Sequence, residues 1–310
     1  MYFSEILIDF IKNKNLPAFT REEIYKFFLE IWFHKSYQGK KIKDLRANSK
    51  NYKKKFNNCW QSLTDLEPNL VGGSETLAGY SYILDKNYED KPYEIICSLY
   101  KFGYISYYSA MFYYGLVKEN NKNIYFTTLE RRDWNNLYLK TLSSKKFPFL
   151  KNEEQHELKS LIPLYPKEDK YFNNQLLVFT THFIDEYEMD PKGIRVRKIE
   201  ALFLDMTRKP QYCGGIDTVL AVFKKYGEQY RNEVIQLTNS IGNTMDKARI
   251  GYIYDKVLKT TDSIVEGWKA EMIGLRGGSR KFVPYLPYYA EYDEDWNISL
   301  NHKNKKIELF

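Results

Sequence analysis

The chain of 310 residues has few of the features that mark secreted or membrane-spanning proteins. It contains three cysteines, Cys59, Cys97 and Cys213. Because they are far apart in the sequence and odd in number, we expect free thiols in a reducing compartment. No apolar run approaches the roughly 18 residues that a spanning helix needs, and the first residues carry an early acid without a basic stretch. These absences predict a cytoplasmic protein with no membrane partner.

Catalytic fingerprints are also scarce. A nucleotidyltransferase would place paired carboxylates after Gly-Ser, and neither Gly73-Ser74 nor Gly278-Ser279 is followed by Asp-x-Asp. No phosphate loop or dinucleotide fingerprint occurs, and the histidines lack metal-ligand spacing. The histidines are His34, His156, His182 and His302. We therefore predict no catalytic residue, no metal ligand and no cofactor.

A metal-dependent nuclease remains an alternative, because carboxylates and a lysine that could converge on a metal can be chosen from the carboxy-terminal half. These residues are Glu200, Asp205, Glu266 and Lys269. Asp205 lies at the edge of an apolar stripe, where capping or an ion pair is the more common role of a carboxylate. A metal-dependent nuclease is therefore a weaker prediction than a protein without catalytic activity.

Positive charge is concentrated in one stretch. The formal net charge is +7, and residues 40–55 contain eight basic residues against Asp44 alone, so the remainder of the chain is balanced. The basic residues are Lys40, Lys41, Lys43, Arg46, Lys50, Lys53, Lys54 and Lys55. A local cluster of this kind attracts a polyanion and releases its counterions, which favours nucleic acid. A solvated lysine-rich loop would have the same composition.

Part of this cluster lies on a predicted amphipathic helix, residues 51–66. On a wheel of 3.6 residues per turn, one side is apolar and is expected in a core. That side carries Tyr52, Phe56, Cys59, Trp60, Leu63 and Leu66. The other side carries Lys50, Lys54, Asn57, Asn58 and Gln61, with Lys53 and Lys55 on its flanks. The helix is therefore expected to expose positive charge and hydrogen-bonding amides.

The flanking elements predict a winged helix-turn-helix domain over residues 1–90. Helices are expected at 2–14 and after the capping box that begins at Thr20. Beyond Pro68, residues 70–71 and 79–84 are predicted strands around a glycine-rich tip, which is the wing. Residues 34–49 form a longer connection than a compact helix-turn-helix uses. Its basic residues either contact phosphates or belong to a mobile link, and both readings stay open.

Residues 91–310 are predicted to form a larger mixed α/β domain, so that the whole chain is α+β. Helices are expected at 93–101, 107–114, 198–208, 216–226, 232–240 and 244–258. Strands are expected at 124–128, 176–179 and 193–197, with small closing strands at 268–273, 280–287 and 296–300. Residues 143–169 are polar and interrupted by prolines, which indicates irregular surface or an insertion.

Several stretches of this second part occur in an order that resembles a known family. They are GYISYYSA at 103–110, GL at 115–116, RKIEALFLD at 197–205, GG at 214–215, RIGY at 249–252, RGGS at 276–279 and WN at 296–297. Together they resemble the AbiEi family, the antitoxins of type IV abortive-infection toxin–antitoxin systems. The chain departs from that family in its lysine-rich connection and in Ala201, which stands where the family usually has a basic residue.

The resemblance implies an amino-terminal winged helix and a DNA-binding autorepressor of its own operon. It also implies an antitoxin to a nucleotidyltransferase-like toxin encoded beside it. We accordingly expect double-stranded DNA of its own promoter as the partner, with Asn57, Asn58 and Gln61 at base edges and the lysines on phosphates. The alternative is a protein-interaction module that neutralises a partner without binding DNA.

Overall fold

The computed structural model describes residues 1–14, 16–43, 51–66, 71–72, 81–83, 90–143, 161–171, 174–184, 187–260, 262–273, 275 and 280–303. The chain is α+β, and none of the helices in these ranges is long and apolar enough to cross a membrane. Its contacts divide it into two compact units. The first unit comprises 1–105, 122–185 and 189–195, and the second comprises 106–121, 186–188 and 196–310. The domain boundary predicted near residue 90 adjoins residues 84–89, outside the described ranges, and stays a prediction.

The amino-terminal part of the first unit alternates helices with short strands. They are α1 Phe3–Lys14, β1 Ala18–Thr20, α2 Arg21–His34, β2 Ser36–Tyr37, β3 Lys40–Lys41, α3 Tyr52–Leu66, β4 Val71–Gly72 and β5 Ser81–Ile83. The predicted capping box starts α2, because the Thr20 hydroxyl accepts from the Glu23 amide at 3.3 Å and the Glu23 carboxylate accepts from the Thr20 amide at 3.4 Å. The predicted helices at 2–14 and 51–66 are confirmed to within one residue at their ends.

Strands β1, β5 and β4 form an antiparallel sheet in which the first strand pairs with the last. Ala18 and Val71 both lie opposite Ile83, on its two sides. The strands predicted on either side of the wing are therefore present and paired. Gly72, which the sequence predicted in the glycine-rich tip, ends β4, and residues 73–80 lie outside the described ranges.

The connection between α2 and α3 contains a hairpin that the sequence did not predict. Ser36 pairs with Lys41 and Tyr37 with Lys40. The two turn residues, Gln38 and Gly39, have φ of 47° and 74°, the positive values that a two-residue hairpin turn needs. The Tyr37 hydroxyl donates to the Asp9 carboxylate at 2.7 Å, so this hairpin is fixed to α1.

An aromatic core holds the three amino-terminal helices together. The Phe56 ring of α3 lies 4.6 Å from Tyr25 and 5.3 Å from Phe28 of α2, and Phe28 lies 4.8 Å from Phe3 of α1, measured between ring centroids. Phe56 and Leu63 are almost completely buried. Each such side chain contributes about 1.5–3 kcal/mol on burial, so the apolar face of α3 fixes which face remains outside.

A mixed sheet follows. The next elements are α4 Pro92–Leu99, β6 Gly103–Ile105, α5 Tyr107–Tyr113, β7 Asn123–Leu129, α6 Arg131–Ser143, β8 Asp169–Tyr171, β9 Asn174–Thr181, β10 Tyr187–Met189 and β11 Arg195–Arg197. The strand order is β10-β11-β6-β7-β9-β8, with β7 and β9 parallel, and the division between the two units falls within β10 and β11. The predicted strands at 124–128, 176–179 and 193–197 are thus present.

The second unit is mainly helical. Its further elements are α7 Ile199–Arg208, α8 Gly215–Tyr226, α9 Arg231–Ile241, α10 Thr244–Tyr252, α11 Ser263–Ile273, β12 Tyr292–Asp293 and β13 Ile298–Ser299. Five residues of π-helix, Ile253–Val257, continue α10. The helices predicted at 198–208, 216–226, 232–240 and 244–258 are confirmed.

Two of the three predicted closing strands are wrong. Residues 268–273 are the end of α11, because Val265, Trp268 and Met272 are buried at helical spacing and Asp262 accepts the Ile264 amide at the helix start. Residues 280–287 contribute a single bridge, from Lys281 to Ser299, instead of a strand. The third prediction, 296–300, corresponds to the two-residue strand β13.

Several residues that carry the family resemblance pack within this second unit. Arg197 forms an ion pair with Asp205 at 2.8 Å, and the Arg249 guanidinium donates to the Lys281 carbonyl at 3.1 Å. A Cβ atom on Gly251 would lie 2.1 Å from the Trp296 ring, so only glycine fits there. Arg197, Arg249 and Gly251 therefore have structural roles within this unit.

Candidate nucleic-acid interface

Helix α3 presents the polar face that its sequence predicts. Its 15 residues contain neither glycine nor proline, so nothing in the sequence interrupts the helix. Phe56, Cys59 and Leu63 are buried, whereas five polar side chains are exposed. These five, which we call the α3 polar face, are Lys53, Lys54, Asn57, Asn58 and Gln61. Lys55 is half-buried at the edge of this face.

The α3 polar face has the electrostatic character that a polyanion requires. The helix carries three consecutive lysines, and its first acidic residue is Asp65, near the carboxyl end. Lysine ammonium groups and carboxamide groups are arranged on one exposed side of a helix that is about 10–12 Å wide with its side chains. Such a surface supplies charge for phosphates and hydrogen bonds for base edges.

Lysines of the β2–β3 hairpin are exposed where the chain leaves the carboxyl end of α2. Lys40 and Lys41 occupy β3, and the hairpin follows directly from the carboxyl end of α2. The first residue of α3, Tyr52, packs against Trp32 and Phe33 at that same end of α2, with ring centroids 6.4 and 6.2 Å apart. The hairpin and the first turn of α3, which both carry lysines, therefore adjoin the carboxyl end of α2.

The remaining residues of the predicted cluster have different positions. Lys43 is exposed, but its amide donates to the Met1 carbonyl at 3.1 Å and its Nζ lies 5.8 Å from the Tyr2 ring, beside the beginning of α1. Arg46 and Lys50 lie outside the described ranges. The structure thus brings part of the predicted set together and directs Lys43 toward the first residues of the chain.

Arg21 is a residue of this surface that the sequence did not single out. It is the first residue of α2, and its Nη2 donates to Asn57 Oδ1 at 2.6 Å. Its Cζ lies 5.0 Å from the Phe56 ring centroid and 5.9 Å from that of Trp60. Because 36 residues separate Arg21 from Asn57, no local pattern reveals the contact. The sequence shows only that Arg21 directly follows the capping residue Thr20, at the start of a helix.

The acids next to Arg21 are held within the fold. Glu23 belongs to the capping box and forms an ion pair with Lys101. Burial raises the pKa of Glu22 above its usual range, although its own amide and Arg21 oppose that shift. The Arg21 guanidinium thus favours the ionised form of Glu22, whereas its side-chain hydrogen bond goes to the Asn57 amide.

One group among the described residues has metal-ligand chemistry, namely Glu130, Asp133 and His182. Glu130 directly precedes α6, Asp133 lies in its first turn and His182 follows β9, so the neighbouring parallel strands β7 and β9 bring them together. His182 Nε2 lies 3.6 Å from Glu130 and Nδ1 lies 3.8 Å from Asp133. Each of the three residues offers one ligand atom within 4.8 Å of the others, and exposed acidic groups of this kind are common without a metal ion. Because His182 is far from the two acids in the sequence, no local spacing predicts this cluster.

Two residues of the nuclease alternative are engaged in separate ion pairs. Asp205 pairs with Arg197 at 2.8 Å, whereas Lys269 pairs with Asp255 at 3.1 Å and with Asp295 at 3.2 Å. Burial opposes ionisation of Asp255, but hydrogen bonds from Trp296 and Lys269 lower the pKa of Asp255 overall. Lys269 is accordingly part of a charge network within the second unit.

Comparison with known proteins leaves the chain without an assigned family. No family model matches it, and no curated protein matches it. The resemblance to the AbiEi family therefore stays an expectation from the residues quoted above. The α3 polar face and its neighbours are the part of the described structure whose chemistry suits a polyanionic partner.

Proposed function

We propose that the protein is a DNA-binding transcriptional regulator that uses α3 as its reading helix. The observation that carries the proposal is the α3 polar face, with its lysines and carboxamides exposed opposite a buried apolar face. The order of elements supports it, because a helix, a strand, two helices and two paired strands, with the first strand beside the last, is typical of a winged helix-turn-helix. Here the β2–β3 hairpin is inserted between the second and third helices.

The dimensions of α3 suit a major groove. The groove is about 12 Å wide and admits a helix with its side chains. In this proposal Asn57, Asn58 and Gln61 meet base edges, while Lys53 and Lys54 contact phosphates and fix the register. Lys40 and Lys41 on the hairpin contact the phosphate backbone nearby.

The biological role that we propose follows from the family resemblance. The protein would repress its own operon and act as the antitoxin to a nucleotidyltransferase-like toxin encoded beside it. Co-expression of the full chain with the neighbouring gene product tests the second part, since a cognate antitoxin restores growth. Rescue by a variant that no longer binds DNA would favour the alternative, a protein-interaction module.

An electrophoretic mobility shift with DNA from upstream of the protein's own reading frame tests the DNA-binding proposal. The double variant Lys53→Ala/Lys54→Ala is expected to lower affinity roughly 10-fold, because each lost phosphate contact removes counterion release. The slope of log affinity against log salt should become shallower by about 2. The measurement is a titration at several salt concentrations.

A matched control is the double variant Lys118→Ala/Lys224→Ala, which removes two exposed lysines of the second unit. It has the same change in net charge and should bind DNA as the unmodified protein does. Equal affinity and equal salt slope for both double variants would reject α3 as the DNA-binding element.

A further inference from the structure

Arg21 and Asn57 together point to a specific kind of base recognition, an inference that rests on the proposed function. The Arg21 guanidinium donates to Asn57 Oδ1 at 2.6 Å and lies over two aromatic rings of α3, Phe56 and Trp60. A planar, delocalised cation is suited to such stacking, and the stacking fixes the direction of its N–H groups. Asn57 is exposed on the α3 polar face.

The chemistry of the two groups determines how the amide is oriented. A guanidinium has five N–H donors and no acceptor, whereas a carboxamide has an acceptor oxygen on one side and a donor nitrogen on the other. Only the oxygen of Asn57 can therefore face Arg21. The hydrogen bond to Arg21 thus fixes the orientation of the Asn57 amide, and the Nδ2 group points away from the guanidinium.

This orientation changes which base Asn57 can recognise. An asparagine reads adenine with both of its groups, because its oxygen accepts from the adenine N6 amine while its nitrogen donates to N7. With its oxygen bound to a cation, Asn57 presents donors, and an approaching amine would meet the positive charge of Arg21. Guanine presents two adjacent acceptors, N7 and O6, to the major groove.

We propose that Arg21 is a positioning residue that holds the Asn57 amide as a hydrogen-bond donor, so that α3 selects guanine at the base contacted by Asn57. Asparagine generally recognises adenine, whereas Asn57 is proposed to recognise guanine. Arg21 acts on specificity through Asn57, and the same base position should respond to a change in either residue.

Selection of bound sequences from a random DNA pool by the full-length protein tests the proposal. The unmodified protein should select a guanine at one position, and Asn57→Ala should abolish the preference at that position alone. Arg21→Ala should reduce guanine over adenine discrimination there by roughly 10-fold, the effect of one good base contact. The variant Arg21→Ala/Asn57→Ala should discriminate no less than Asn57→Ala, because the two residues act as one unit.

Arg21→Lys supplies the conservative control, since an ammonium also donates and has no acceptor. It should restore most of the guanine preference. Thermal unfolding of each variant separates folding from recognition, because a merely structural role of Arg21 would lower affinity for all sequences alike. If Arg21→Ala kept the full guanine preference, the positioning role of Arg21 would be overturned and the DNA-binding proposal would stand. Failure of the unmodified protein to bind any DNA in the pool would overturn the proposed function as well.

Discussion

At the scale of single residues, close packing decides which substitutions the second unit accepts. Gly251 in α10 and Gly267 in α11 are both helical glycines, and their surroundings differ. A Cβ atom on Gly251 would meet the Trp296 ring at 2.1 Å, whereas nothing lies within 4 Å of one on Gly267. Trp296 is completely buried, and its Nε1 donates to Asp255 at 2.9 Å, so the ring has little freedom to move.

The contrast predicts opposite effects of the same substitution. Gly251→Ala should lower the free energy of unfolding by about 1–3 kcal/mol, because the added methyl group overpacks a closed core. Gly267→Ala should raise it by up to about 1 kcal/mol, because alanine loses less backbone entropy in a helix. Urea unfolding followed by circular dichroism measures both changes. Equal stabilities of the two variants would contradict the close contact with Trp296.

At the scale of elements, the amino-terminal end of α2 contains both the helix cap and a residue of the proposed DNA-binding surface. Thr20 ends β1 and caps α2, and the next residue, Arg21, contacts Asn57 of α3. Thr20 is nearly buried, so a lost hydroxyl cannot readily be replaced by water. The capping box therefore determines where α2 begins and, with it, where Arg21 is held.

Removal of this cap should weaken the first unit. Thr20→Val keeps the size of the side chain and removes the hydroxyl that accepts the Glu23 amide, which should cost about 1 kcal/mol of stability. Thr20→Ser keeps the hydroxyl and should retain most of the capping contribution. Chemical unfolding of the two variants provides the measurement, and a Thr20→Val variant as stable as the unmodified protein would exclude a stabilising cap.

At the scale of the whole molecule, stability should depend on pH through a half-buried histidine of the second unit. His302 packs against Phe282 with ring centroids 4.9 Å apart, and its Nδ1 atom is buried with no hydrogen-bond partner among the described residues. Burial, together with the nearby Lys303, lowers the pKa of His302 below its ordinary value of 6.5. The folded state thus disfavours the protonated ring.

The free energy of unfolding should therefore decrease in mildly acidic solution. Between the lowered pKa of folded His302 and 6.5, the unfolded chain binds more protons than the folded chain, so the free energy of unfolding falls as the pH falls below about 6.5. His302→Gln should flatten the dependence between pH 7.5 and 5.5. Thermal unfolding at several pH values measures it. Asp255 and Asp295, whose pKa values are lowered from 3.8, titrate below this window.

Local patterns in the sequence determined much of the fold and which face of α3 is exposed. The 3.6-residue period of 51–66 was sufficient to predict that α3 buries Phe56 and exposes Asn57, because a helix fixes the direction of every side chain relative to its neighbours. The capping box and most helices of the second unit were likewise set by residues within one or two turns. The cysteines, predicted as free thiols, are free and buried.

Only the tertiary structure decided contacts between distant segments. The hairpin at 36–41 is anchored by Tyr37 to Asp9, the Arg21–Asn57 pair joins two helices, and the Glu130, Asp133 and His182 cluster depends on two adjacent strands. Residues 268–273 were predicted as a strand from too short a window, and the buried side chains from Val265 onward show the helical period. Periodicity specifies which face of an element is apolar, whereas the partner of each polar side chain is set by which elements the core packs together.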